Sequence, residues 1–322
     1  MPETPQIPVT VLTGYLGAGK TTLLNRVLTG KHGKRYAVIV NEFGEIGIDN
    51  ELVVNADEEV FEMNNGCICC TVRGDLIRII GNLLKRKDHY DGILIETTGL
   101  ADPAPVAQTF FVDDEVRKRA MLDSIVTVVD AKNLMARLDD SHEAAEQVAF
   151  ADTILLNKTD LVPSDELVRV EARIRGINPT ATIHRTERCV LPVDAVLGRS
   201  AFDLDRILEI EPNFLGEDDH EHDDAITSVA LKEFRPIDVN KFNVWIANLL
   251  RTRGQDILRS KGILNVKGSP CRFVFQAVHM LMEGDDGKRW EPGEARDSKL
   301  VFIGRGLDTA ELRTGFGACV AA

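Results

Sequence analysis

A glycine-rich segment near the start of the chain places the strongest constraint on its fold. Residues 14–21 read GYLGAGKT and match the spacing G-x-x-x-x-G-K-[ST]. The apolar run 7–13 before the segment predicts a buried strand, and the apolar residues after it recur at helical spacing. A strand, a glycine turn and a helix N-terminus together direct backbone N–H groups and the helix dipole at a phosphate. The segment therefore predicts a phosphate-binding loop.

The residues of this loop have distinct predicted roles. The glycines let backbone N–H groups turn toward the phosphates, Lys20 reaches the β- and γ-phosphates, and the Thr21 hydroxyl meets Mg²⁺. Lys20 and Thr21 therefore belong to the predicted catalytic set as well. The residues predicted to bind the nucleotide phosphates are Gly14, Gly17, Ala18, Gly19, Lys20, Thr21 and Thr22.

Short apolar runs recur through the first two-thirds of the chain. They are residues 36–41, 92–96, 124–130 and 153–157. Helix-like stretches, among them 73–87 and 165–176, lie between most of these runs. Continuous apolar strands that alternate with helices indicate a mostly parallel sheet covered by helices on both faces. The predicted fold class is α/β, with the architecture of a P-loop NTPase.

The segment Asn157-Lys158-Thr159-Asp160 closes the last of these runs and predicts the choice of base. At the carboxyl end of a parallel strand, side chains face the ligand crevice. An ionised Asp160 only accepts hydrogen bonds, so it selects guanine, which offers adjacent N1–H and amino donors. The Lys158 stem can lie flat on the base, and Asn157 can brace the loop. We therefore predict a GTP site that uses Asn157, Lys158 and Asp160.

A third motif, ETTGLADP, begins at Glu96. Glu96 ends a predicted strand at the Walker-B position, where we predict a water-mediated contact with Mg²⁺ and a catalytic role. Gly99 is predicted to offer its N–H to the γ-phosphate. The next residue is Leu100, where Ras-type GTPases carry a water-orienting Gln, so we expect slow intrinsic hydrolysis of GTP.

The pattern of strands and helices changes after about residue 210. Residues 211–224 combine Pro, Gly and dense charge and predict an exposed acidic and histidine-containing linker or loop. We expect a P-loop GTPase domain over 1–210 and a smaller α+β domain over 225–322. The elements predicted in the smaller domain are strands at 226–234, 262–266, 271–281 and 299–306, and helices at 238–254 and 308–320 capped by Asp238 and Asp308.

Charge and hydropathy exclude some partners of this 322-residue chain. A formal net charge of −13 argues against a nucleic-acid or anionic membrane surface as the main partner. No apolar run approaches the roughly 20 residues that span a bilayer, and the N-terminus lacks the pattern of a signal peptide. We therefore expect a cytoplasmic protein.

Three of the six cysteines, Cys67, Cys69 and Cys70, fall within four residues. Disulfide, redox and metal chemistry are all conceivable there, but a reducing compartment and the tight spacing weigh against a disulfide. Three thiolates form a soft site for Zn²⁺, or Co²⁺, with one tetrahedral position left for another ligand. An iron–sulfur cluster normally needs four cysteines. The isolated residues Cys189, Cys271 and Cys319 are predicted to pack as small hydrophobes.

Two acidic segments are further candidates for metal ligands. Residues 41–50 occupy the switch position of a P-loop GTPase, and Asp49 there is predicted to approach Mg²⁺, with Glu42 and Glu45 as further oxygen donors. Residues 217–224, EDDHEHDD, either collect metal at the surface or form a solvated acidic loop.

The motifs GYLGAGKTTLLN, NEFGEIGIDN, NGCICC, ETTGLADP and NKTD, in this order, resemble the CobW family of metal-linked P-loop GTPases. The end of the chain, including LRSKGIL and FQAVHML, resembles the smaller CobW C-terminal domain. The resemblance covers nearly the whole chain. It implies GTP hydrolysis, binding of Zn²⁺ or Co²⁺ at Cys67, Cys69 and Cys70, and delivery of the metal to a client metalloprotein.

The resemblance also bears on the remaining ligand and on partners. Some relatives carry an acidic residue where this chain has Val40, which makes Glu45 the first candidate for a carboxylate beside the thiols. Kinship with nickel-handling GTPases suggests a homodimer that depends on nucleotide or metal. Two alternatives stay open: a metal-sensing GTPase switch that never transfers metal, and a GTPase regulated by thiol oxidation.

Overall fold

A computed structural model describes residues 6–30, 32–41, 59–63, 71–85, 90–198 and 226–321. The chain forms two compact units, one built on a seven-stranded sheet and the other on a five-stranded sheet. No helix in the described ranges is long and apolar enough to cross a bilayer. The predicted boundaries at 210 and 225, and the linker between them, lie outside the described residues.

All strand pairs of the seven-stranded sheet are parallel, and the strand order is β3-β2-β4-β1-β5-β6-β7. The central strands are apolar and buried on both faces, as a parallel sheet between helices requires. The strands are β1 Ile7–Thr13, β2 Tyr36–Asn41, β3 Glu59–Met63, β4 Gly92–Glu96, β5 Ala120–Asp130, β6 Thr153–Asn157 and β7 Thr182–Arg185.

Helices cover both faces of this sheet, which confirms the predicted fold class. The first helix packs against one face in a core with Val126 and Val128, and another helix contacts the opposite face, where the Thr127 hydroxyl donates to the Gln147 carbonyl at 2.8 Å. The helices are α1 Lys20–Thr29, α2 Thr71–Leu83, α3 Ala104–Val112, α4 Asp114–Arg119, α5 Leu134–Asp140, α6 His142–Phe150 and α7 Ser164–Ile177.

Some boundaries in this unit differ from those predicted. The helix expected at 73–87 is α2, which begins at Thr71 and ends at Leu83. Strand β5 begins at Ala120 rather than at 124, because the polar Asp123 that interrupts the apolar run is buried in the sheet and accepts a hydrogen bond from Thr10 at 3.4 Å. Strands β3 and β7 were not predicted, since both are edge strands of mixed polarity.

The sheet order brings the carboxyl ends of four strands to one edge. Strand β1 lies between β4 and β5, and β6 follows β5. Their last residues or the segments just after them carry the phosphate loop, Glu96, Asp130 and Asn157. This edge is the crevice where an open parallel sheet binds its ligand.

The second unit is an antiparallel sheet of order β11-β10-β9-β12-β8. Two helices pack with this sheet, and each is capped by an aspartate as predicted. The Asp238 side chain accepts hydrogen bonds from the backbone N–H groups of Asn240 and Lys241, and the Asp308 side chain accepts in the same way from the first turn of the other helix. The elements are β8 Ile226–Glu233, α8 Val239–Arg253, β9 Ile257–Leu264, β10 Cys271–Val278, β11 Leu281–Arg289, β12 Ser298–Arg305 and α9 Thr309–Ala318.

Aromatic rings form the core between these helices and the sheet. Phe242 on α8 is fully buried and meets Phe275 and Trp245 edge to face, with centroids 5.3 and 5.9 Å apart. Trp245 also contacts Phe302 and Phe316. This mixture of strands and two helices confirms the predicted α+β architecture.

Two strand predictions in this unit need correction. The strand expected at 262–266 is the last part of β9, which begins at Ile257. The strand expected at 271–281 is two strands, because the chain turns at His279, whose φ is +52°, and returns as β11. Strand β11 is rich in charged residues of both signs and is exposed at the sheet edge, so it has no apolar alternation that would predict it.

Candidate nucleotide-binding site

The phosphate loop follows β1 and ends at the first residue of α1. Gly14, Gly17 and Gly19 all have positive φ, at 141°, 74° and 119°. A Cβ on Gly14 would collide with the Val128 carbonyl oxygen, and one on Gly19 would lie 2.6 Å from Asn157 Nδ2. Glycine is required at both positions, since the backbone conformation and the close approach leave no room for a side chain. The loop backbone therefore packs directly against Val128 of β5 and the Asn157 side chain.

Lys20, the first residue of α1, points back into this loop. Its ammonium donates to the Gly14 carbonyl at 2.7 Å and approaches the Tyr15 carbonyl at 3.4 Å. Burial lowers the pKa of Lys20, and the charge of Glu96 opposes this effect. The loop therefore holds a largely buried cation beside the N-terminus of α1, where a phosphate anion is favoured.

Glu96 lies at the end of β4 and is 9% exposed. Burial raises the pKa of its carboxyl group, while the nearby charge of Lys20 and a hydrogen bond from the Thr21 hydroxyl lower it. The structure thus brings Lys20, Thr21 and Glu96 together. The Thr21 hydroxyl and the Glu96 carboxylate are hard oxygen donors of the type that Mg²⁺ prefers.

The segment after β4 packs on the tip of the phosphate loop. A Cβ on Gly99 would lie 2.8 Å from the Leu16 backbone nitrogen, so only glycine allows this contact. Gln147, buried on α6, donates its amide to the carbonyls of Gly99 and Ala101 at 3.1 and 3.2 Å. Leu100, between them, is half exposed. Helix α6 therefore sets the position of the Gly99 segment.

Asn157 joins three segments through its side chain. Its Nδ2 donates to the Ala18 carbonyl at 2.9 Å, within the phosphate loop. Its Oδ1 accepts from the Thr186 hydroxyl at 3.2 Å and from the Cys189 backbone N–H at 2.9 Å. The side chain is buried, so these bonds hold the loop after β6 and the loop after β7 against the phosphate loop.

Lys158 and Asp160 follow at the same edge. Lys158 has a left-handed backbone, with φ of 62°, and its ammonium donates to the Gly17 carbonyl at 2.8 Å and to Asp130 Oδ2 at 2.7 Å. Asp160 lies on the 3-10 turn Thr159–Leu161 and is exposed. The predicted base motif and the predicted phosphate loop are thus one hydrogen-bonded unit.

Models of two protein families match this chain. The model described as the CobW/HypB/UreG nucleotide-binding domain matches residues 8–185. The model described as the cobalamin synthesis protein cobW C-terminal domain matches residues 226–320. This chain belongs to the CobW family of metal-linked P-loop GTPases.

Several named proteins are similar to this CobW-family chain over nearly its whole length. It is 35% identical to the zinc chaperone YjiA of Escherichia coli, over 96% of this chain and 98% of that protein. It is 37% identical to the zinc chaperone CobW of Pseudomonas aeruginosa, over 95% of this chain and 90% of that protein. The crystal structure of Zn(II)-bound YjiA GTPase from E. coli superposes with a TM-score of 0.79 and 31% identity, and covers 99% of this chain and 100% of that one.

The residues predicted to bind Zn²⁺ or Co²⁺ in this CobW-family chain, Cys67, Cys69, Cys70 and Glu45, lie outside the described residues. So do Glu42, Asp49 and the acidic run 217–224. In the part of the chain that the structure describes, no group of three or more His, Cys, Asp or Glu side chains is arranged to hold a metal ion. The metal-site assignment therefore stays a prediction.

The sequence motifs do not include two residues of this CobW-family site. Asp130 ends β5 beside β6, and its place at the end of an apolar run is a signal that predicts a residue at the crevice edge. Gln147 is a single amide within a helix and has no motif around it. Its role follows only from the contact of α6 with the segment after β4.

Proposed function

We propose that this protein is a GTP-hydrolysing metallochaperone that binds Zn²⁺, or Co²⁺, and delivers it to a client metalloprotein under nucleotide control. One observation carries the proposal: the base motif and the phosphate loop are joined by direct hydrogen bonds from Asn157 and Lys158. The near-full-length relatives named zinc chaperones support the metal and its delivery.

The nucleotide site fits GTP and Mg²⁺. The positive φ angles at Gly14, Gly17 and Gly19 give the loop a backbone that turns its N–H groups toward a phosphate, and the Lys20 ammonium lies at this loop to bind the β- and γ-phosphates. Mg²⁺, when bound, neutralises phosphate charge, and Thr21, Glu96 and Asp49 are the residues proposed to hold it.

Base recognition is proposed for the residues after β6. The exposed Asp160 carboxylate accepts from the N1–H and amino group of guanine, and the Lys158 stem lies under the ring. Asn157 does not touch the base in this proposal; it holds the Ala18 carbonyl and so keeps the two loops together. Selection of guanine over adenine then rests on Asp160, since adenine lacks this pair of donors.

Hydrolysis is proposed to be slow in the protein alone. The Gly99 N–H binds the γ-phosphate, but Leu100, the residue after it, has no polar group to orient the attacking water. A single-turnover rate far below about one per second is expected from GTPases that lack such a group. A single-turnover assay with the apo protein and Mg²⁺ tests this, and a rate near one per second would contradict it.

The metal site is proposed for Cys67, Cys69 and Cys70, with Glu45 as a fourth ligand. Three thiolates and one carboxylate suit tetrahedral Zn²⁺, and exchange of the carboxylate allows an incoming client ligand to enter. Because residues 64–70 lie between the phosphate loop and β4, bound GTP is proposed to order this segment and hydrolysis to loosen it. A homodimer formed around nucleotide or metal is compatible with this cycle.

Zn²⁺ titrations in three nucleotide states test the coupling. We expect the dissociation constant for Zn²⁺ to be lower with a non-hydrolysable GTP analogue than with GDP or without nucleotide, and Zn²⁺ to tighten binding of the analogue by the same factor. Cys69→Ser should abolish the coupling, whereas Cys271→Ser, which changes a half-buried thiol of the second unit, should preserve it. Equal Zn²⁺ affinity in all three states would refute nucleotide control.

A transfer assay separates delivery from the two alternatives. Zn²⁺ lost from the GTP-loaded protein should appear in an apo-client during hydrolysis. Retention of the metal through the cycle would indicate a metal-sensing switch instead. Loss of GTPase activity after mild peroxide, restored by a thiol reductant, would indicate redox regulation.

A further inference from the structure

Asp130 lies beside the base motif without belonging to it. It is the last residue of β5, and it pairs in register with Asn157, the last residue of β6. Its Oδ2 accepts from the Lys158 ammonium at 2.7 Å, and the Ala131 backbone N–H donates to the Asn157 carbonyl at 2.9 Å. The register of two adjacent parallel strands therefore sets the distance between this carboxylate and Lys158.

The Asp130 carboxylate is itself fixed by two other donors. Asn133 Nδ2 donates to Oδ2 at 2.8 Å, and the Lys132 backbone N–H donates to Oδ1 at 3.0 Å. Partial burial raises the pKa of Asp130, but the hydrogen bonds from Lys158, Asn133 and Lys132 and the charge of Lys158 outweigh it, so the pKa lies below its ordinary value. Asp130 is therefore an ionised acceptor with a defined orientation at neutral pH.

Lys158 needs such an anchor. Its backbone is left-handed, a strained conformation for a lysine that persists only where the surroundings enforce it. Its ammonium is held by two acceptors from different parts of the fold, Gly17 in the phosphate loop and Asp130 on β5. With both ends held, the aliphatic stem between them has one position, which a free lysine would not keep.

We propose that Asp130 is a positioning residue for base recognition: it anchors the Lys158 ammonium so that the stem forms a fixed platform for the purine ring. Asp130 acts through Lys158 and does not contact the nucleotide in this arrangement. Asp160 then recognises the edge of the base, while the Asp130–Lys158 pair supports its face. This inference rests on the proposed guanine-nucleotide site and is independent of metal binding and delivery.

The two roles predict different dependence on the base. A platform contacts the ring face, which GTP and ITP share, whereas the 2-amino group that ITP lacks is read at the ring edge. Asp130→Asn should therefore lower the affinities for GTP and ITP by the same factor. We expect this factor to be about tenfold, as for loss of a hydrogen bond between charged groups. Asp160→Asn should instead reduce the preference for GTP over ITP.

A double-mutant cycle tests the route through Lys158. Lys158→Met keeps the length of the stem and removes the ammonium with its bonds to both Gly17 and Asp130, so it should weaken GTP binding at least as much as Asp130→Asn does. In the Lys158→Met background, Asp130→Asn should have no further effect. Affinities for GTP, GDP and ITP are measured by isothermal titration calorimetry on the full chain with Mg²⁺ present. The single-turnover rate at saturating GTP should fall less than the affinity does.

Two further variants control for a general loss of folding. Glu171→Gln removes the negative charge from another ion pair of the same unit, the bidentate pair of Glu171 with Arg185 at 2.6 and 2.9 Å, and it should leave GTP affinity unchanged. Asn133→Ala removes one donor to Asp130 without altering Lys158 and should weaken GTP binding by a smaller factor than Asp130→Asn. Thermal melting of each variant reports whether it is folded, and Asn133→Ala serves as the test if Asp130→Asn does not fold.

The outcomes are separable. The inference is overturned if Asp130→Asn binds GTP as the wild type does, if its loss differs between GTP and ITP, or if the two substitutions are additive. Failure of the folded wild-type chain to bind GTP or GDP would instead overturn the proposed nucleotide site itself.

Discussion

Two cysteines outside the 67–70 cluster are sealed in the cores of the two units. Cys189 and Cys319 are 0% and 1% exposed, and their sulfurs contact the carbonyls of Gly19 and Gly315 at 3.5 and 3.3 Å. Burial raises the pKa of both thiols to about 11, although nearby cations oppose it. Both residues therefore pack as small hydrophobes, as predicted, whereas Cys271 is only half buried.

Alkylation kinetics test this at the residue scale. Thiolate is the reactive form, so with a pKa about 11 roughly one in a few thousand molecules carries it at either site at pH 7.5. We expect N-ethylmaleimide to leave Cys189 and Cys319 unmodified in the folded protein and to label Cys271 sooner, as read by peptide mass spectrometry. Labelling in guanidinium provides the control, since all three should then react. Rapid labelling of Cys189 in the folded chain would contradict its burial.

At the scale of elements, the site depends on how α6 meets the segment after β4. The Gln147 side chain donates to two backbone carbonyls 48 and 46 residues away, those of Gly99 and Ala101. The backbone carbonyl of Gln147 accepts a hydrogen bond from the Thr127 hydroxyl on β5. One helix thus ties the proposed γ-phosphate contact to a central strand, so the position of Gly99 depends on packing and not on its own loop alone.

Replacement of this amide tests the dependence. Gln147→Leu keeps the approximate volume but leaves two carbonyls without their donor, so we expect a loss of about 2 kcal/mol in the free energy of unfolding. We also expect a fall of about tenfold in single-turnover GTP hydrolysis, because Gly99 loses its fixed position. Urea unfolding and a quench assay measure the two effects. Glu143→Gln on the same helix, away from the Gly99 segment, is the control, and equal hydrolysis by Gln147→Leu and wild type would disprove the role.

At the scale of the whole molecule, the two units have separate hydrophobic cores. One is formed by α1 and the parallel sheet, with residues such as Leu24 and Val126. The other is formed by α8, α9 and the antiparallel sheet around Phe242 and Phe302. The nucleotide-site residues described above all lie in the first unit. Substitutions in the core of the second unit should therefore leave the affinity for nucleotide unchanged.

A matched pair of Phe→Ala substitutions, one in each unit, tests whether the two cores are separate. Phe242→Ala and Phe150→Ala each remove a fully buried ring, at a cost of about 3–5 kcal/mol to the unit concerned. We expect Phe242→Ala to lower the temperature of the unfolding transition of the second unit. Below that temperature, affinity for a GTP analogue should be unchanged. Phe150→Ala should weaken binding of the analogue and lower the temperature of the unfolding transition of the first unit. Calorimetric scans with and without the analogue measure both, and loss of binding in folded Phe242→Ala would count against separate cores.

How far the sequence predicts this protein depends on the range of the interactions involved. The phosphate loop, the central strands and the caps at Asp238 and Asp308 follow from local patterns, because strand burial, glycine turns and capping are decided within a few residues. Edge strands such as β3, β7 and β11 escape prediction, since their polar composition is set by their place in the sheet.

The sequence by itself determined the order of the motifs, the positions of the predicted phosphate loop and the predicted base motif, and membership of the CobW family. Only the tertiary structure decided that Asp130 anchors Lys158 and that Gln147 holds the Gly99 segment. These contacts join residues 28 and 48 positions apart, and their geometry comes from strand order and helix packing. The place of Asp130 at the end of an apolar run predicts the crevice edge but not the contact with Lys158, and Gln147 has no local pattern that distinguishes its contact from a solvated surface.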